Sequence, residues 1–270
     1  MPASLDQIIA ATRQRVAESR RAADFRHLER KAEAHTPRGL RRALKRKSEN
    51  GVAIIAELKK ASPSRGLIRL NFDSESLARE LELAGAAALS ILTDEEFFQG
   101  SLENLERASS RTTLPCLRKD FIVHEFQVLE ARAHSADAIL LIAAALSQTE
   151  LISLASAARN HGLDVLCEAH DEDELQRAID AGCDLIGVNS RDLRTFQVDL
   201  ATAVRLGELI PKNVVRVAES GIHSGADIAR LRAAGYQAFL IGESLMKAES
   251  PGQALGTLLS EAAAAVPSPA

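Results

Sequence analysis

From Val52 onward the chain repeats one pattern, a short apolar run followed by an amphipathic segment, at intervals of roughly 20 to 30 residues, which is the beat of strand–helix units. The runs are Val52–Leu58, Ala87–Leu92, Leu114–Lys119, Ala138–Ile142, Leu163–Glu168, Leu185–Asn189, Val214–Glu219 and Ala238–Ile241. Between them the spacing predicts helices over Ser74–Ala84, Leu102–Ala108, Glu125–Ala133, Gln148–Asn160, Glu172–Ala181, Leu200–Leu209 and Gly225–Ala234, with a last one after Pro251. Glycine closes several of these segments, as in Ala84-Gly85, Ala181-Gly182 and Ala234-Gly235, where a helix has to stop before the next strand. Eight such pairs can close a sheet on itself and leave no edge, so the expected fold is an α/β (β/α)8 TIM barrel. An open doubly wound sheet is the runner-up. It calls for a glycine-rich GxGxxG turn after the first strand, and the chain has Ala61-Ser62-Pro63-Ser64-Arg65-Gly66 there.

The expected organisation is an N-terminal helical extension packed on the barrel (1–50), the barrel itself (51–262) and a frayed tail (263–270). In the extension, Leu5, Ile8, Ile9, Thr12 and Val16 lie at helical spacing after a candidate cap, Ser4. A second helix is expected to open at Pro37 and to end at Asn50-Gly51, with Leu40 and Leu44 as a narrow apolar stripe. Its basic residues, Arg38 to Lys47, read as the solvated face of a surface helix. A net charge of −4 over 270 residues argues against a nucleic-acid partner. Cys116, Cys167 and Cys183 have no CxxC spacing and read as small core residues of a reducing compartment. The scattered histidines read as surface or loop residues, with no metal site implied. No stretch has the apolar length of a membrane span or the core of a signal peptide, so a cytoplasmic protein without membrane contact is expected.

A barrel of this kind carries its chemistry at the C-terminal ends of its strands. Those ends are polar: Glu57 and Lys59 on the first, Lys119-Asp120 on the third, Glu168 on the fifth, Asn189-Ser190-Arg191 on the sixth and Glu219-Ser220-Gly221 on the seventh. Period two puts Val215, Val217 and Glu219 on one face, and likewise Leu185, Gly187 and Asn189, so each polar group caps an inward row. One strand-end glutamate is ordinarily a structural partner. Two lysines and three glutamates around one mouth can separate acid and base roles by shifting one another's pKa values. Gly221 and Gly242, beside Ser220 and Glu243, sit where such barrels hold phosphate; with Ser64 and Arg65 of the first loop they point to a phosphorylated small molecule. Phe97, Phe98 and Phe121 lie among polar neighbours and offer a flat wall for an aromatic group.

These strand ends resemble the indole-3-glycerol-phosphate synthases of tryptophan biosynthesis. The resemblance is carried by AELKKASPSRG (Ala56–Gly66), LTDEEFFQGSLENL (Leu92–Leu105), LRKDFIV (Leu117–Val123), CEAH (Cys167–His170), GVNSRDL (Gly187–Leu193), VAESGI (Val217–Ile222) and IGESLM (Ile241–Met246). It implies a cofactor-free carbon–carbon lyase that closes the ring of 1-(2-carboxyphenylamino)-1-deoxyribulose 5-phosphate with loss of CO2 and water. It further implies that Lys119 is the general acid and Glu168 the acid/base group of dehydration. Lys59 binds the substrate carboxylate in this reading, and Glu57, Asn189 and Glu219 orient the lysines and hydroxyls. Ser62, Arg191, Ser220, Gly221, Gly242 and Glu243 fall on the substrate side, all but Arg191 at phosphate-contacting positions; Phe98, Phe121 and Leu140 form the pocket for the anthranilate ring. The chain departs from the family in its extension, where an R-D-F-like segment is replaced by Arg38-Gly39-Leu40. A monomer is compatible with this reading. Its competitors are another phosphosugar barrel, either an isomerase or a Schiff-base aldolase using Lys59 or Lys119, and a barrel that only binds its ligand.

Overall fold

The computed structural model describes residues 4–192, 195 and 197–265. Leu193, which ends the GVNSRDL motif, and residues 266–270 of the expected tail lie outside them. Eight parallel strands form a closed barrel: β1 (Ala53–Leu58), β2 (Ala88–Leu92), β3 (Cys116–Lys119), β4 (Ala138–Ile142), β5 (Asp164–Ala169), β6 (Leu185–Asn189), β7 (Val215–Glu219) and β8 (Ala238–Ile241). Closure is direct, since Ala53 to Ala56 of β1 pair in register with Ala238 to Ile241 of β8. Within the barrel no strand is left as an edge, which removes the open-sheet alternative. Three helices precede the barrel, α1 (Leu5–Ala22), α2 (Phe25–Ala34) and α3 (Leu40–Glu49). The barrel helices are α4 (Ser74–Leu83), α5 (Glu95–Phe98), α6 (Leu102–Ser110), α7 (Glu125–Ala133), α8 (Gln148–Asn160), α9 (Glu172–Asp180), α10 (Leu200–Gly207), α11 (Gly225–Ala233), α12 (Glu243–Lys247) and α13 (Pro251–Ala264). No described helix is long and apolar enough to cross a membrane.

The alternation of the strands divides the core in two. Ala53, Ile55, Leu117, Leu140, Leu166, Leu185, Val217 and Leu240 fill the barrel, while Ile54, Leu89, Ile139, Cys167, Ile186 and Ala218 face the helices. All three cysteines are buried and unpaired. Burial lifts the Cys116 thiol to about 12, so it is inert as a nucleophile at neutral pH.

The extension differs from expectation in three ways. First, the additional helix α2 packs on α7; its sequence is so charged that the sparse stripe Phe25, Leu28, Ala32 does not stand out. Second, Pro37 does not open α3. The chain stays extended to Gly39, at φ +82°, because the Arg38 backbone N–H and guanidinium donate to the buried carboxylate of Asp137. Third, α3 is no surface helix on its apolar side: Leu40 and Leu44 are wholly buried and close the N-terminal end of the barrel against Ala53, Ile55 and Leu185. Arg42, Lys45 and Arg46 on the other side are exposed, as expected. Glycine suits this positive-φ position. At the far end, α13 runs to Ala264 with Ala262 fully buried, so helix occupies the start of the segment expected to fray.

Candidate active site

The inward rows end in polar side chains at a cavity in the upper mouth, above the aliphatic residues that fill the barrel. Of the residues proposed for the site from sequence, Glu57, Lys59, Ser62, Ser64, Phe98, Lys119, Phe121, Leu140, Glu168, Asn189, Arg191, Glu219, Ser220, Gly221, Gly242 and Glu243 line one cavity at this mouth. Phe97 is not among the lining residues. The single turn α5, capped by the Asp94 carboxylate on the Phe97 N–H, delivers Phe98 to the wall. Its ring centroid stands 6.2 Å from that of Phe121.

Two ion-paired clusters face each other across the mouth. Lys59 Nζ is 2.6 Å from Glu57 Oε1. Lys119 Nζ is 2.9 Å from Glu168 Oε2 and 3.4 Å from Glu219 Oε2. Burial pushes the Lys119 ammonium down, but Glu168, Glu219 and Glu57 outweigh it and raise the group above the ordinary lysine range. Burial lifts Glu168 and is overcome by Lys119 and His170, so that carboxylate is held well below its ordinary range. Glu219 goes the other way. Burial, reinforced by Glu168 and Glu57 and only partly offset by Lys119, raises it to about 8. The mouth thus presents a charged lysine, an ionised carboxylate and a carboxyl that keeps its proton near neutrality, three states available for proton transfer.

Two glycines have a role in this cluster that the sequence did not reveal. A Cβ at Gly187 of β6 would collide with Glu219 Oε1, and one at Gly242 would collide with Glu57 Oε1. Both carboxylates therefore occupy room left by a missing side chain on a neighbouring strand row. Gly187→Ala is expected to swing Glu219 away from Lys119 and lower turnover on the order of a hundredfold with the fold retained. Unchanged steady-state rates, with unchanged circular dichroism, would contradict that geometry.

The supporting contacts follow strand parity. Arg118 and Asp120 are joined at 2.9 Å, and the Asp120 carboxylate accepts from the Phe121 N–H at 2.8 Å, fixing the residue after Lys119. Asn189 Oδ1 accepts from the Arg191 N–H at 3.0 Å. Ser220 and Gly221 both adopt positive φ, 66° and 76°, which turns the backbone sharply over the mouth. Arg65 meets Glu243 Oε1 at 3.1 Å, so loop one touches α12 across the cavity.

Leu5 and Ile8 of α1 also line the cavity. The capping box of Ser4 with Gln7 starts that helix, and Arg15 ties it to Asp94 at 2.9 Å. The apolar stripe of α1 was visible in the sequence; the surface it covers was not. His170, expected as a surface or loop residue, lies in the bend after β5 and stands beside Glu168, with Nε2 3.3 Å from Glu168 Oε1. The charge it adds to the site had no signature in the chain beyond its place two residues after the strand-end glutamate.

The family model for indole-3-glycerol phosphate synthase matches residues 5–258. A protein of Koribacter versatilis named indole-3-glycerol phosphate synthase is 59% identical over 259 residues, covering 96% of this chain and 100% of that protein. One of Burkholderia ambifaria with the same name is 47% identical over 255 residues, covering 94% and 98%. Among solved structures, thiamine phosphate pyrophosphorylase from Pyrococcus furiosus aligns with TM-score 0.60 at 17% identity, over 80% of this chain and 98% of that one. A mandelate oxidase mutant aligns with TM-score 0.58 at 19% identity, over 80% and 73%. These two share the fold. The long, full-length sequence matches go further: the chain belongs to the indole-3-glycerol phosphate synthase family.

Proposed function

We propose that this protein is an indole-3-glycerol phosphate synthase, a carboxy-lyase that converts 1-(2-carboxyphenylamino)-1-deoxyribulose 5-phosphate to indole-3-glycerol phosphate, CO2 and water. The observation that carries the reading is the position of Lys119, an ammonium held by two carboxylates of opposite protonation preference in a cavity walled by Phe98, Phe121 and Leu140. The aromatic ring lies against that apolar wall, and the carboxylate it carries meets Lys59. The phosphate reaches the Ser62, Ser220-Gly221 and Gly242-Glu243 segments, and Arg191 serves the polar chain between the two ends. In the closing step the ring carbon bearing the carboxylate bonds to the ketone carbon while Lys119 gives a proton to the ketone oxygen. Loss of CO2 returns the bonding pair to the ring. Departure of the new hydroxyl as water then needs a proton on oxygen and removal of one proton from the ring system, the latter taken by ionised Glu168. Glu57 holds Lys59, and Asn189 and Glu219 orient the hydroxyl and Lys119.

The test is direct: the purified protein incubated with that substrate should develop indole fluorescence and release CO2. A folded protein that yields neither overturns the reading. A Schiff-base aldolase would instead leave a borohydride-trapped adduct on Lys59 or Lys119. The proton on Glu219 also predicts a pH limb. Because its carboxyl is raised to about 8, activity that needs the protonated form is full below that value and falls as pH rises through it. Glu219→Gln, a permanent neutral donor, is expected to be slower overall and to lack this alkaline limb; a limb that persists in the variant belongs to another group.

A further inference from the structure

Glu168 is held from two sides. Its Oε2 faces Lys119 at 2.9 Å, and its Oε1 lies 3.3 Å from His170 Nε2, on the side away from the lysine. His170 is itself held: its Nδ1 is 2.9 Å from Glu174 Oε2, and its backbone N–H donates to the same oxygen at 2.8 Å. Glu174 is in turn placed by the start of α9, where its own N–H donates to the capping carboxylate of Asp171 at 2.8 Å. A helix start thus connects to a strand-end carboxylate through one ring, with both ring nitrogens directed at carboxylate oxygens. Of the two, only Nδ1 is hydrogen-bonded among the described residues; Nε2 stands at ion-pair distance from Glu168, and a ring placed between two carboxylates is favoured as the doubly protonated cation.

We propose that His170 is a positioning residue for Glu168: as an imidazolium anchored by Glu174, it fixes the orientation of that carboxylate and favours its ionised form for proton abstraction. The inference rests on the reading of Glu168 as the base of dehydration. The groups facing His170 are Glu168 of β5 and Glu174 of α9, with Lys119 of β3 and Glu219 of β7 beyond Glu168. Burial lowers the imidazolium, but hydrogen bonding and charge from Glu168 and Glu174 overcome it and raise the ring to about 10. The ring therefore stays charged throughout the neutral range. A second cation beside Glu168 also explains how it ionises with another carboxyl, Glu219, so close on the far side of Lys119.

Two measurements test this. In His170→Ala, kcat is expected to fall about tenfold with KM little changed, and the acid limb of kcat against pH should move to higher pH, because a lone Lys119 leaves Glu168 easier to protonate. His170→Gln, whose neutral amide can reach Glu168, should recover much of the rate while keeping the shifted limb. A variant with a lower rate but an unmoved limb would mean that the ring only supports the fold, and would overturn the proposal. Independently of any substrate, NMR titration of ring-labelled wild-type protein should show His170 protonated at pH 8. Titration near the ordinary value of about 6.5 would overturn it even if the enzyme proves active. Conversely, an NMR-charged His170 in a protein that forms no indole product would mean that the functional reading has failed and the ring assignment has not.

Discussion

Lys119→Ala should lower kcat by about a hundredfold or more, the ordinary cost of removing a positioned general acid. The change also strips two buried carboxylates of their shared cation, so lost activity in this variant alone would mix chemistry with folding. Lys119→Arg separates the two. A guanidinium keeps the positive charge between Glu168 and Glu219, but it does not give up a proton and its fork does not reproduce the point charge of an ammonium. The arginine variant should unfold close to the wild-type urea midpoint and still be at least about a hundredfold slower. Near-wild-type indole formation by the alanine variant would remove Lys119 from the acid role. A fast arginine variant would show that charge alone suffices there.

Asp137→Ala should destabilise the protein by roughly 3–5 kcal/mol, the cost of breaking a buried ion pair from one side. This carboxylate is fully buried under the barrel, where it accepts from the Arg38 N–H at 2.6 Å, the Arg38 guanidinium at 2.9 Å and the Cys116 N–H at 2.6 Å, and lies 3.2 Å from His35 Nε2. It joins the chain entering α3 to the first residue of β3. Burial raises its pKa, but His35 and Arg38 outweigh that and hold it below the ordinary range. The stability it contributes is therefore complete above the unfolded value near 4 and is lost only as pH falls through the lower folded value. Equilibrium urea unfolding at pH 7 measures the loss, and the same experiment in acid should show the wild type converging on the variant. A midpoint moved by less than the equivalent of about 1 kcal/mol would mean that the extension is held by α2 and the apolar face of α3 alone.

The barrel was legible because its signal is periodic and local. Eight apolar runs, each followed by an amphipathic segment and several of those closed by glycine, state both the element type and the sheet they need. The site was legible for a related reason: strand parity carries an inward row to its last residue, so Glu57, Lys119, Glu168, Asn189 and Glu219 could be assigned to one mouth before any coordinates. The extension was less legible. Pro37 looked like a helix start and Leu40 like part of a surface stripe, since nothing near them in sequence announces Asp137, about a hundred positions on, or the open barrel end that those leucines fill.

Glu57 and Lys59 stand in the sequence among the polar strand ends, and the structure joins them at 2.6 Å. What the amino-acid sequence determined by itself was the list of groups at the mouth, because residue type and twofold alternation are properties of neighbours along the chain. What only the tertiary structure decided was their charge state and their room: which carboxylate shares Lys119, which ring stands behind Glu168, and why residues 187 and 242 must lack a side chain. Those depend on distances between strands that meet only on closure, and both burial and Coulomb interaction are set by such distances.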